Sequence, residues 1–455
     1  MLQTTAWARI PPRPAIASGP FARNLPIRTA RNAASALPFV TLANGVRLLA
    51  IHAPQLHTAS VSVFVRSGSA HEAARDNGIS HVIEHMAFKG TPTRDARRIN
   101  LDAERLGADV NAHTDKDHTA YHMYGMPHDT ATMIGMLGDI VRHATYPEAE
   151  LDRERAVILA ELADDQDDPV SIAYRLFDEA SFGRHPVARP VIGTARTIAR
   201  FTRADLVAHV ARQYSGSNVV GAVIGDIDVA AATAAMAAAF ETMPRGEPNT
   251  IAIPEFTGGL RARRVVGSSQ THLVVGFPIP SLRADDPVAR VAAAVLGEGM
   301  SSPLLHRLRE RMGLVYHADC SADVMDSWGQ FMIEASTSPA NVDALLVELA
   351  NLLDAHATRI DAAELRRARN QVQVARLRTL ERGGRRLEDA ALDLFALGRT
   401  RSHEEWLDRI ASVTAAKVRR LFERMLSAGP AVALAGNVRT GMRDQAAAVL
   451  RVRTA

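Results

Sequence analysis

Cysteine and lysine are nearly missing from this chain of 455 residues. The single cysteine, Cys320, excludes an intramolecular disulfide, and a reducing compartment is the simple reading. Lysine stands only at Lys89, Lys116 and Lys417, so arginine carries nearly all the positive charge. That bias, with abundant alanine, points to a GC-rich bacterial genome. A net charge of only +3 gives no ground for a nucleic-acid partner. No apolar run reaches the roughly 20 residues a helix needs to span a bilayer, so no membrane role is expected. Aromatics are scarce at 5%, but 47% apolar residues in a chain of this length suffice for two or more domains with substantial cores.

Acidic residues are missing from the whole N-terminal stretch, the first being Glu72. Residues 1–36 hold Arg9, Arg13, Arg23, Arg28 and Arg31, and Pro11, Pro12, Pro14 and Pro20 interrupt any long amphipathic helix there. The expectation is a disordered extension on a cytoplasmic bacterial protein. A mitochondrial transit peptide, with a matrix location, is the alternative.

The most informative segment runs Gly78-Ile-Ser-His81-Val-Ile-Glu84-His85. Two histidines four apart lie one turn from each other on one helical face, a spacing that lets two imidazoles bind one zinc ion. Glu84 beside them can handle protons on a zinc-bound water. The order H-x-x-E-H is the inverzincin order, the reverse of the commoner H-E-x-x-H. Ser80 is a plausible cap for this helix. Two imidazoles do not complete a catalytic zinc site, which takes three protein ligands plus water. The segment 151–162 offers candidates. Leu151, Val157, Ile158 and Leu162 are spaced for a helix, and Glu154 and Glu161, seven apart, share a face. One glutamate could bind metal while the other supports it, or both could be solvated; spacing does not choose.

Here the chain resembles the pitrilysin and mitochondrial processing peptidase family. The likeness rests on His81, Glu84 and His85 with Glu161 far downstream, and on several further segments in order. These are Asn111-Ala112 in 106–114, His185-Pro186…Gly193-Thr194, Tyr214…Asn218…Gly225-Asp226, the stretch 296–304, and Leu308-Arg309-Glu310…Gly313…Tyr316. The match spans about residues 38 to 440. The resemblance implies one Zn2+ per chain on His81, His85 and Glu161, with Glu84 as general base and Glu154 supporting the site without being a main ligand. It also implies that Tyr316 stabilises the oxyanion, that Arg309 binds a substrate carbonyl, and that Asn111 and Ala112 pair with an extended peptide substrate. The implied activity is a zinc endopeptidase cutting extended or unfolded peptides or precursors. A subunit that needs, or acts as, a non-catalytic partner is the alternative. The family's closed chamber usually takes four such domains and this chain supplies two, so a homodimer or a heterodimer with a related subunit is expected.

The organisation fits a duplication. Strand-like text opens each half, at 39–65 and at Thr271–Phe277. One strand is expected over 109–126, and helices near 130–145, 148–166 and 287–296. Leu151 onwards lies parallel to Leu365 onwards, and in that register Ala375 replaces Glu161. Only the first half keeps a metal site. The expected fold is α+β: two homologous domains, 37–243 and 263–455, joined by a linker at 244–262. Each is a mostly antiparallel sheet packed with helices. His113, His118 and His122 read as polar sheet-face histidines without a role, and His143, His185 and Cys320 are likewise given none.

Overall fold

The computed structural model describes residues 36–452 apart from position 285, so the arginine-rich segment 1–36 lies outside the described residues except for Ala36. Two mixed sheets organise the chain. The first contains β1 (Val40–Thr41), β2 (Arg47–His52), β3 (Ala59–Val65), β4 (Asp109–Thr114), β5 (Thr119–Gly125) and β6 (Val219–Gly225), in the order β1-β2-β6-β3-β5-β4. The second contains β7 (Gly259–Arg264), β8 (Thr271–Ile279), β9 (Val315–Val324), β10 (Gly329–Thr337) and β11 (Ala431–Gly436), in the order β7-β11-β8-β10-β9. With β1 set aside, the two orders correspond strand for strand. In each sheet one parallel pair (β2 with β6, β7 with β11) joins an otherwise antiparallel ladder. The duplication read from sequence is thus present in the topology.

The strand expected over 109–126 is a hairpin instead. Asp115-Lys116-Asp117-His118 turns the chain, and β4 pairs back on β5 from Thr114–Thr119 to Asp109–Tyr124. The turn is tied down by Ser69 and Ala70, whose N–H groups donate to the carbonyls of Asp115 and Lys116. Residues 244–258 form no helix or strand, and β7 begins at Gly259. This connection lies along the first half: the Asn249 amide donates to the carbonyls of Arg66 and Gln213 at 2.7 and 3.0 Å.

Helices α1 (Ile79–Ala87), α2 (Ala96–Arg105), α3 (Thr130–His143), α4 (Glu148–Asp167) and α5 (Pro169–Phe182) follow in the first half. The central strands β3 and β6 are buried along their whole length, which requires cover on both faces. One face of the first sheet packs Val61, Val63 and Val223 against Ile83, Met86, Ile134 and Leu137 of its own helices. The other face is covered by a helix from the second half, Gly383–Leu397: Leu387, Ala390, Ala391 and Leu394 pack on Leu49, Phe64, Val220 and Ile224. The exchange is mutual. Ile172, Ala173, Phe177 and Ala180 of α5 pack on Val274, Met332, Ala431 and Ala433 of the second sheet. Each half lends a helix to the other, and burying these apolar faces favours the halves staying together.

Candidate active site and metal centre

Helix α1 is placed by its N-terminus. Gly78 caps it with φ +93°, and a Cβ there would lie 2.7 Å from Gly193 Cα and Ile192 O. Only glycine permits both the left-handed backbone and this close approach. The expected cap, Ser80, lies inside the helix. The capping acceptor is Glu72, a buried carboxylate that accepts from the N–H groups of Gly78 and Ser80 at 2.7 and 2.9 Å and from the Asn77 amide at 3.1 Å. A carboxylate serves here because the N–H groups at a helix start lack partners within the helix and carry its positive dipole end. Burial nevertheless raises Glu72 to a pKa of about 7, against the pull of these donors.

From this start His81 and His85 project side by side, with ring centroids 4.7 Å apart. Helix α4 packs against α1. Its buried face is Leu151, Glu154, Ile158 and Leu162, whereas Val157 is 51% exposed. Val157 was expected on the apolar face; Glu154 belongs to that face in its place. One carboxylate oxygen of Glu161 lies 3.7 Å from His81 Nε2 and the other 3.6 Å from His85 Nε2. Glu154 Oε2 lies 3.1 Å from His85 Nδ1, and its Oε1 is 2.6 Å from Lys89 Nζ. Burial would raise Glu154, but Lys89 and His85 bring it below the ordinary carboxylate range.

This donor set fits a metal ion. Gaps of 3.6–3.7 Å are too long for hydrogen bonds. They lie near the tetrahedral edges, roughly 3.3–3.5 Å, set by zinc bonds of about 2.0–2.1 Å. Burial, reinforced by His85, lowers His81 to about 4, so it stays in the neutral form that ligates. His85 has one nitrogen toward Glu161 and the other toward Glu154, the arrangement that fixes a ligating histidine's tautomer. Glu84, half-buried in the same turn, has a raised pKa. Burial causes this, opposed in part by the Thr114 hydroxyl of β4 and the imidazoles of His85 and His113. His81, Glu84, His113, Thr114 and Glu161 line one open cleft, continued by Asp164 and Asp165.

The remaining expected residues divide. Asn111 and Ala112 lie on β4, the edge strand of the first sheet, with Asn111 exposed and Ala112 buried. Arg309 and Tyr316 come together on the second half, the guanidinium 5.2 Å from the ring centroid, with Tyr316 81% exposed at the start of β9. Among the described residues, neither lines the cleft that holds His81 and Glu161. Sequence reasoning missed Glu72, Lys89 and Thr114. Lys89 had a signal, one helical turn beyond His85; Glu72 and Thr114 reach the site only through the fold.

Two imidazoles and a carboxylate thus converge as a candidate metal-binding donor set, beside a carboxylate of raised pKa. Comparison with known proteins gives the family. Residues 47–195 match the model described as Insulinase (Peptidase family M16), and residues 200–372 match that of the Peptidase M16 inactive domain. A protein of Mycobacterium tuberculosis named "uncharacterized zinc protease" is 31% identical over 418 residues, covering 89% of this chain and 94% of the relative. One of the same name from Rickettsia bellii is 28% identical over 397 residues, covering 87% and 96%. The chain therefore belongs to the insulinase family, peptidase family M16. Among solved structures, a protease from Helicobacter pylori shares the fold with TM-score 0.80 at 21% identity, covering 87% of this chain and 98% of that one. An M16 inactive domain from Pseudomonas fluorescens does so at 0.78 and 22%, covering 88% and 98%.

Proposed function

We propose that this protein is a zinc-dependent endopeptidase acting on extended peptides, with His81, His85 and Glu161 holding the metal and Glu84 as general base. The observation that carries this is the placement of a half-buried carboxylate of raised pKa in the same turn as two converging imidazoles, opening on one cleft. A bound zinc ion supplies Lewis acidity at the scissile carbonyl and to the attacking water. Glu84 takes a proton from that water and returns it to the departing amine, and a raised pKa suits both transfers. Glu154 holds His85 in register, and Lys89 keeps Glu154 charged. The edge strand β4 pairs with the substrate backbone at Asn111 and Ala112, a mode that tolerates varied side chains. Arg309 and Tyr316 act on the substrate carbonyl and oxyanion once the second half, or a second chain, closes over the cleft. A homodimer or a pair with a related subunit completes the enclosure; the mass of the purified, active species tests this.

The experiment strips the protein with a chelator, follows cleavage of quenched peptides, and adds zinc back. Activity should disappear and return, and Glu161→Gln should neither retain zinc nor regain activity. Full cleavage by the stripped enzyme would overturn the proposal.

A further inference from the structure

The β4–β5 turn and the helix Gly383–Leu397 bring a second group of ligating side chains together. We infer that His113, His118 and Glu388 form a second metal site, for zinc or a similar transition ion, at the seam between the two halves. The inference rests on this cluster's own geometry and not on the peptidase reading. Glu388 Oε1 lies 3.4 Å from His113 Nε2 and 3.6 Å from His118 Nε2, and one donor atom from each of the three lies within 4.8 Å of the others. These gaps resemble those around Glu161: long for a hydrogen bond, and close to the edge of a tetrahedral site.

Four further observations shape the site. His118 is 2% exposed, and its Nε2 is buried with no hydrogen-bond partner among the described residues. Its Nδ1 lies 2.7 Å from Asp117 Oδ1, so the carboxylate fixes the ring with Nε2 toward the cluster. Arg385 Nη1 occupies Glu388 Oε2 at 2.9 Å, leaving Oε1 to face both imidazoles. His113 also lines the cleft beside Glu84, which gives the site access to solvent. The competing occupant is a proton. Burial would lower His118, but Asp117 and Glu388 raise it to about 10. A protonated His118 would sit at charge-assisted hydrogen-bond distance from Glu388, about 2.7–2.9 Å; gaps of 3.4 and 3.6 Å from two imidazoles to one oxygen suit a shared ion better.

The consequence is mechanical. His113 and His118 belong to the hairpin of the first half, and Glu388 to the helix lent by the second. An ion bound to all three pins that helix to β4, the strand that carries Asn111, Ala112 and Thr114.

The test measures metal per chain in the full-length protein, loaded with zinc and dialysed, together with visible absorption after cobalt loading. Wild type should hold two ions, Glu388→Gln one, Glu161→Gln one and the double variant none. Cobalt absorption of the Glu388→Gln protein should equal that of the first centre alone. Should Glu388→Gln fail to fold, His113→Ala, at a partly exposed position, should also lose one ion while keeping wild-type circular dichroism. One ion per chain in wild type, lost entirely with Glu161→Gln, would overturn the inference in favour of the proton. A second ion indifferent to both Glu388→Gln and His113→Ala would overturn it as adventitious binding.

Discussion

Replacing Glu154 probes how the first centre is built without touching a proposed ligand. Glu154 is only 9% exposed, and both its oxygens are engaged, by His85 Nδ1 at 3.1 Å and Lys89 Nζ at 2.6 Å. Glu154→Gln keeps an acceptor for His85 but loses the charge that makes the imidazole a better donor to metal. Glu154→Ala loses both and leaves Lys89 without its partner. Losing the outer partner of a ligating histidine weakens metal binding by about 10–100-fold, or roughly 1.4–2.7 kcal/mol. Glu154→Gln should fall at the lower end of that range and Glu154→Ala at the upper. Competition against a chromophoric zinc chelator measures both. Activity should return in either variant at saturating zinc, because Glu84 and the ligands are intact. Unchanged zinc affinity in Glu154→Ala would refute the positioning role, and an affinity loss as complete as that of Glu161→Gln would make Glu154 a ligand.

Other consequences concern the scaffold. Glu72→Ala strands the N–H groups of Gly78 and Ser80 and the Asn77 amide, and should cost about 2–4 kcal/mol in denaturant unfolding, with weakened zinc retention. Burial raises Glu72 from 4.5 to about 7, so the folded state binds the extra proton between those values. Its contribution is full below pH 4.5 and lost as pH rises to 7, and wild-type stability should contain this decline while Glu72→Ala lacks it. Gly193→Ala puts a Cβ 2.7 Å from Asn77 O at a backbone φ of +87° and should lower the unfolding midpoint and the zinc content together. Residues 37–243 expressed alone should aggregate or bind a hydrophobic dye, since Leu49, Phe64, Val220 and Ile224 lose their cover; a well-dispersed NMR spectrum would contradict the exchanged-helix account.

His81, Glu84 and His85 were legible because two imidazoles and a carboxylate within five residues of a helix are a local pattern, readable without tertiary structure. Glu161 is 76 residues beyond His85, and only family resemblance separated it from a solvated glutamate. The duplication was legible through the Leu151–Leu365 register, and the sheets repeat it strand for strand. The lent helices were not. Amphipathic spacing says that α5 buries a face, but not against which sheet, and Phe177 meets Gly276 only in the fold. Val157 misled because positions 154 and 157 both fit helical spacing, and a buried glutamate is the rarer choice. The hairpin turn at 115–118 carries no glycine or proline, so the two strands read as one. His118 reads as a sheet-face residue because Glu388, which joins it and His113, arrives from the other half of the chain.

The central claim is most directly tested by Glu84→Gln, which keeps shape and removes the proton acceptor. Wild type and variant, both zinc-loaded, are compared for cleavage of a quenched peptide library, with products read by mass spectrometry and bound zinc measured on the same samples. Equal zinc in both, internal cleavage by wild type and a loss of at least about 100-fold in the variant are the predicted results. Equal cleavage by both proteins, or zinc-loaded wild type that leaves every peptide intact, would contradict the account.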